Sequence, residues 1–206
     1  MSSEETSELD LVVGSMITVR PDEDRPAYDE EYESVSAVQD QLREEGVDVD
    51  LISQPGTEVW EGALENMGAL YQLSRLATRI EHEQDIDDVI EDGPVIYDDL
   101  DRGVTDVWDD LVTSRYQHLI NLQGINSYYM PADFEAPIWL AFEDENGEED
   151  NAFFGSSVRL QSELAELAPL LIKAGVASNS QAYLCLEMLR VAAAKSLEFG
   201  LPIIVW

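Results

Sequence analysis

The side chains best suited to chemistry are concentrated in one polar segment between residues 115 and 133. Five of them could line a small-molecule pocket: Arg115, His118, Tyr128, Tyr129 and Asp133. The same residue types are found where a histidine and tyrosines lie at the edge of a sheet and each makes a hydrogen bond. This structural arrangement is commoner than a binding pocket. A hydrolase or small-molecule-binding domain that uses the segment around His118 is therefore an alternative hypothesis.

Other signs of catalysis are weak in this sequence. It contains no GxSxG elbow, no GxxxxGKS phosphate loop and no GxGxxG turn. Ser156 and Ser157 suit a helix cap better than a nucleophile, and Cys185 lies in an apolar stretch with no basic neighbour to activate it. His82 and His118 lack the spacing of metal ligands. The sequence therefore favours a protein that is not an enzyme, and it predicts neither a metal site nor a cofactor.

Carboxylates are the most abundant chemical groups, and six of them flank one predicted turn. Apolar runs precede and follow Asn146-Gly147, the dipeptide most typical of a type I′ hairpin turn. A turn centred there opposes three pairs of acids, which are Glu143 with Asp150, Asp144 with Glu149, and Glu145 with Glu148. Like charges directly opposite each other are destabilising. This hairpin tip, residues 143–150, is therefore a candidate binding site for a basic partner.

The net charge is unusually negative and unevenly distributed along the chain. There are 44 acidic and 11 basic residues, which gives a net charge of −33. Residues 1–150 contain 40 acids and seven arginines, whereas residues 151–206 contain four acids and four bases. Such a charge excludes free nucleic acid and anionic membranes as direct partners on electrostatic grounds.

Two explanations of this charge lead to different functions. The leading hypothesis is a non-catalytic interaction protein whose acidic face binds a basic protein, as an immunity protein, a nuclease inhibitor or a nucleic-acid mimic does. The alternative is a cytosolic domain of a salt-loving organism, in which carboxylates coat the surface as an adaptation to salt. The uneven distribution separates the two only if the neutral C-terminal part is exposed.

The compartment is predicted from cysteine usage and from the absence of targeting segments. The chain has one cysteine, its first ten residues are polar and acidic, and no segment has the roughly 18 uninterrupted apolar residues of a membrane span. We therefore expect a cytoplasmic protein without a membrane segment. Residues 1–8 are expected to form a disordered tail.

The elements that position these residues follow from hydrophobic periodicity. Residues 9–19 and 47–53 are rich in branched or alternating apolar residues and predict strands, while 28–45 predicts an amphipathic helix between them. That order predicts a βαβ unit whose two strands are parallel. Residues 57–80 predict the most regular helix of the N-terminal half, and residues 81–110 an acidic loop.

The second half predicts further strands, a hairpin and then apolar helices. Residues 118–121 and 127–130 predict short strands, 137–154 the hairpin, and 156–171 either a helix kinked at Pro169 or two short helices with a break there. Residues 181–199 are apolar nearly all round, which predicts a core helix, and the final six residues predict a buried strand. The fold class is therefore α/β or α+β, with one domain over residues 1–206, a mixed sheet and C-terminal apolar helices.

Overall fold

The described residues form one six-stranded mixed sheet with helices on both faces. A computed structural model describes residues 8–143, 147 and 149–206. The elements are β1 (Leu9–Gly14), α1 (Arg25–Glu44), β2 (Glu58–Leu64), α2 (Met67–Glu81), α3 (Asp87–Asp92), α4 (Arg102–Trp108), α5 (Gln117–Ile120), β3 (Ser127–Met130), β4 (Ile138–Glu143), β5 (Glu149–Ser156), α6 (Ser157–Lys173), α7 (Gln181–Phe199) and β6 (Ile203–Val205). The strand order is β2-β1-β6-β3-β5-β4, with only β3 and β5 parallel among the described strands. The predicted mixed α+β class is confirmed. Residues 1–7 of the expected tail lie outside the described residues.

The N-terminal unit has the predicted order of strand, helix and strand, but its second strand was wrongly located. The partner of β1 is β2 at residues 58–64, and the two strands are antiparallel. Residues 47–53 form no strand; Val47, Val49 and Leu51 are buried in the same cluster as α1, and the Leu51 N–H donates to the Gln39 side chain. Alternating burial therefore arose here from packing against a helix, not from strand pairing.

The long helix predicted over residues 57–80 is divided into β2 and α2. Asn66 caps α2, because its side-chain oxygen accepts a hydrogen bond of 2.7 Å from the Gly68 N–H. Apolar residues before that cap, such as Val59 and Trp60, pack against the main core from a strand. A broad apolar stripe suits either element, so periodicity alone did not locate the cap.

The sheet separates two hydrophobic cores. Tyr129 and Phe153 point into the larger core with α2, α6 and α7, whereas Tyr128 and Phe154 point into the smaller core under α1. The alternation follows from the two-residue period of side chains along a strand. Neighbouring tyrosines of β3 are thus on opposite faces of the sheet.

The most buried helix is α2, and α7 is partly exposed. Eleven consecutive residues of α2, 68–78, are buried, because α2 is in contact with α3, α4, α5, α6 and α7. α7 buries one face, including Cys185 and Leu189, but leaves Leu184 and Val191 exposed. The apolar character of α7 predicted a core helix; one face of α7 is buried in the main core and the other is exposed.

Two further local predictions were wrong. Residues 118–121 belong to α5 and its C-cap, not to a strand, because the buried Glu163 carboxylate accepts hydrogen bonds from the His118 and Leu119 N–H groups at the start of that helical turn. α6 continues through Pro169 as one helix, so the alternative of two short helices with a break there was wrong.

The acidic segment, residues 81–110, is not a simple loop, since it contains α3 and α4. Two arginines of α2 bind it: Arg75 lies 2.9 Å from Asp92 and 3.4 Å from Asp101, and Arg79 lies 3.2 Å from Asp101 and 3.3 Å from Asp88. Burial alone would raise the pKa of Asp101. Hydrogen bonds from the Gly103 N–H and both arginines outweigh that effect and hold the pKa below its ordinary value.

Replacing Arg75 should therefore loosen the acidic segment. We expect Arg75→Met to reduce the free energy of unfolding by about 2–3 kcal/mol, because it leaves the partly buried Asp92 without its cation and Asp101 with Arg79 alone. The exposed Arg102 of the same chain region provides the control, and Arg102→Met should change stability by less than about 0.5 kcal/mol. Urea denaturation of both variants measures this, and equal losses would contradict the assigned role of Arg75.

Candidate acidic interaction surface

The hairpin tip places acidic positions opposite each other, but in a different register from the predicted one. Glu143 pairs with Glu149, and Phe142 pairs with Asp150, one residue away from the expected arrangement. The register matches the apolar base of the hairpin, where Trp139 lies opposite Phe153. Glu149 and Asp150 are exposed.

Asp144, Glu145, Asn146 and Glu148 lie outside the described residues, as does the side chain of Glu143. Gly147 has φ of 77°, in the left-handed region that glycine tolerates best.

A groove joins the hairpin to the end of the acidic segment. Asp150 from β5 and Asp110 after α4 line it together with Trp108 and Trp139, and its volume is about 720 Å³. We call it the tryptophan groove. Two of its lining residues, Asp110 and Asn126, have φ of 55° and 60°, in the left-handed region that Asp and Asn adopt more readily than other non-glycine residues.

The tryptophan groove has the chemistry to bind a cation. Two exposed carboxylates supply opposite charge, and the face of a tryptophan ring attracts a guanidinium or ammonium group. Both rings are held in place: the Trp108 indole N–H donates to the Ile120 carbonyl at 2.7 Å, and the Trp139 ring lies 5.2 Å from that of Phe153. Trp139 is 39% exposed, so its ring is available to a partner.

A second group of carboxylates covers α1. Residues 20–53 contain twelve acids and three arginines, and most of the α1 acids are exposed: Asp29, Glu30, Glu33, Asp40 and Glu44. Glu31 is an exception with a structural role, since its carboxylate accepts hydrogen bonds from the Thr18 N–H and hydroxyl.

The outer surfaces of α6 and α7 are different, because acids and bases balance there. Residues 157–199 contain four of each, and Glu163 is buried. Exposed residues such as Arg159, Glu166 and Arg190 alternate in sign. The exposed carboxylate excess therefore lies on the other elements, and the neutral C-terminal part does reach the surface.

The five polar residues around His118 do not form one pocket. His118 and Tyr129 are buried in the core, and Tyr128 lies on the other face of the sheet, stacked on Phe154 at 5.1 Å. Arg115 and Asp133 are exposed and form ion pairs with Glu166 and Arg159, respectively.

His118 has hydrogen-bond partners on both ring nitrogens. The Ser156 N–H donates to Nδ1 at 3.0 Å, so Nε2 carries the proton and donates to the Glu135 carbonyl at 3.0 Å. Burial lowers the pKa of His118 to about 4, and the ring is neutral at physiological pH. The Tyr129 hydroxyl donates to the His118 carbonyl at 2.7 Å. These bonds connect β3, the end of β5 and α5, which is a structural role.

Glu163 is an ionisable residue that sequence reasoning missed. Its two carboxylate oxygens lie 3.1 Å and 2.9 Å from the N–H groups of His118 and Leu119. Burial raises its pKa to about 8, although both hydrogen bonds act in the opposite direction. The available signal was an acid three residues after Leu160, within the apolar stripe of α6.

Nowhere in residues 8–143, 147 and 149–206 do three His, Cys, Asp or Glu side chains gather as metal ligands. No helix in that part of the chain is long and apolar enough to cross a membrane.

The described residues thus combine an α+β fold, a lopsided carboxylate surface and a groove lined by tryptophans and aspartates, as expected for an acidic interaction protein. The chain belongs to the family described as "Putative DNA-mimic protein", whose model matches residues 7–205. Comparison with curated proteins and with solved structures found no match. The family supports the nucleic-acid-mimic form of the leading hypothesis.

The raised pKa of Glu163 gives a stability signature. The folded state holds this proton more tightly than the unfolded state, where the pKa is near 4.5, so the contribution of Glu163 is greatest below pH 4.5 and is lost as pH rises to about 8. We expect the stability of the parent relative to Glu163→Gln to fall over that window, at up to about 1.4 kcal/mol per pH unit. Urea denaturation of both proteins between pH 5 and about pH 8 measures the difference. A constant difference would contradict the raised pKa.

Proposed function

We propose that the protein is a DNA mimic that occupies the DNA-binding surface of a basic protein. The observation that carries this proposal is the match of residues 7–205 to a DNA-mimic family. A DNA-binding surface is rich in Lys and Arg because phosphates supply most of its affinity. A protein that presents carboxylates in place of phosphates competes for the same cations.

The size of the charge supports this proposal. A folded chain of this length has a radius of gyration of about 17 Å, hence a diameter on the order of 40 Å. A duplex of that length carries roughly 25 phosphate charges, and the chain carries −33. A partner therefore encounters a total charge comparable with that of the DNA it would otherwise bind.

Uniform salt adaptation fits the charge distribution less well. It should coat every exposed surface, whereas the exposed faces of α6 and α7 are balanced in charge. The acidic segment, the hairpin tip and α1 carry the excess, as expected for a surface directed at a partner.

The tryptophan groove is the proposed anchor for an arginine or lysine of that partner. Trp108 and Trp139 offer ring faces, while Asp110 and Asp150 neutralise the cation. Aromatic residues paired with arginine are typical of the few contacts that dominate binding energy. We also propose a reducing, cytoplasmic compartment, since the one cysteine of the chain, Cys185, is a buried free thiol.

The function can be tested by capture and by competition. We expect the immobilised protein to retain DNA-binding proteins from a lysate of its source, and duplex DNA to elute them better than polyglutamate of equal charge. A captured protein is then purified, and displacement of a labelled duplex from it is followed by fluorescence anisotropy. Retained proteins that bind no DNA, or equal elution by polyglutamate, would contradict mimicry.

The contribution of the groove is tested with charge-matched variants in the same assay. Asp110→Asn/Asp150→Asn should weaken duplex displacement by about tenfold, because it removes the two carboxylates of the groove. Asp98→Asn/Asp99→Asn removes the same charge from exposed positions outside the groove and should have a smaller effect. If both double variants weaken duplex displacement equally, the total charge of the protein, and not the groove, determines the displacement.

A further inference from the structure

The exposed face of α7 is apolar and has no covering element among the described residues. Leu184 is 54% exposed and Val191 is 43% exposed. Both lie on the side of the helix opposite Leu189 and Ala193, which are packed into the main core. Val191 follows Leu184 by seven positions, which is about two helical turns, so the two side chains lie on the same face of the helix.

An apolar groove runs beside this face. Leu184, Met188 and Val191 form one wall, Ala63 and Leu64 at the end of β2 form the other, and the volume is about 360 Å³. An aliphatic side chain from another helix could enter it.

The charges around Val191 are self-complementary. Glu187, Val191 and Lys195 follow one another at steps of four, so they form one ridge of the helix surface. Ridges of this kind interdigitate when two helices cross at about −50°. If a second copy is related to the first by a two-fold axis at Val191, its ridge runs in the opposite direction. Each Glu187 then lies opposite the Lys195 of the other copy.

We propose that α7 is the interface of a two-fold homodimer centred on Val191. A basic partner is attracted to the acidic surfaces and not to this face of α7, on which acidic and basic residues balance. A second copy is repelled by those same surfaces, since each chain carries −33. The neutral, apolar face of α7 is therefore where two copies can approach each other. This dimer does not depend on the proposed function.

Ion pairs within α7 do not prevent this pairing. Glu187 lies 2.8 Å from Arg190, and Lys195 lies 2.8 Å from Glu198, but all four side chains are at least 36% exposed. Exposed pairs of this kind contribute little to stability. Glu187 and Lys195 can therefore exchange these partners for each other across the interface.

The neighbouring edge strand is not the contact that joins the copies. β2 forms one edge of the sheet, and an exposed edge can pair with another chain. Glu58 and Glu61 of β2 are exposed. Pairing two such edges would bring like charges together, which disfavours it.

Sedimentation equilibrium with charge-swap variants tests the proposal. At about 1 M salt, where the Debye length is about 3 Å, long-range repulsion between the copies is screened, whereas charge pairs buried in the interface are screened much less. We therefore expect a dimeric parent. Glu187→Lys and Lys195→Glu should each weaken dimerisation by about tenfold or more. In each variant the two-fold symmetry creates two like-charged pairs across the interface. The double variant Glu187→Lys/Lys195→Glu should restore dimerisation.

Matched controls make each outcome decisive. Lys173→Glu changes the net charge as much as Lys195→Glu but lies at the end of α6, so it should leave the dimer intact. A monomeric parent overturns the proposal. If an apolar dye binds this monomeric parent but does not bind the Val191→Asp variant, the groove is assigned to a different ligand. A double variant that remains monomeric while its melting temperature is unchanged overturns the Glu187–Lys195 pairing.

Discussion

The ion pairs between α2 and the acidic segment are the interaction on which the candidate site depends. Arg75 and Arg79 are two of only seven arginines in the first 150 residues, and both are directed at carboxylates of this segment. Asp101, which contacts both, also caps α4 by accepting from the Gly103 N–H at 2.9 Å. α4 ends at Trp108 and leads to Asp110, so these pairs position one wall of the tryptophan groove.

The same wall is fixed from its other side by buried polar groups with opposite pH dependence. Trp108 donates to Ile120 of α5, and the Glu163 carboxylate binds the first N–H groups of that turn. Glu163 stabilises the fold less as pH rises from 4.5 to about 8, whereas His118 stabilises it less as pH falls from 6.5 to about 4. The two effects oppose each other between about pH 4.5 and pH 6.5, and only the loss from Glu163 remains above that range.

The sequence predicted the features that depend on composition and local pattern. The mixed sheet, α1, the terminal strand and the β4–β5 hairpin follow from periodicity and turn chemistry. The position of β2 was missed because residues 47–53 alternate in burial under α1 instead of in a strand. The partners of Asp101, 22 and 26 residues away, leave no local signal. The tryptophan groove was missed for the same reason, since Trp108 and Trp139 come from different elements.

The tryptophan rings distinguish this surface from a plain substitute for the phosphate backbone. Affinity of a protein for DNA falls steeply with salt, because binding releases counterions from the duplex. Carboxylates of a mimic are screened by salt as well, but contact between a guanidinium and the faces of Trp108 or Trp139 also buries apolar surface, which salt does not weaken. A mimic that combines both contacts therefore loses less affinity than the duplex as salt rises. Under the proposed function, competition with DNA therefore shifts towards this protein as the salt concentration rises.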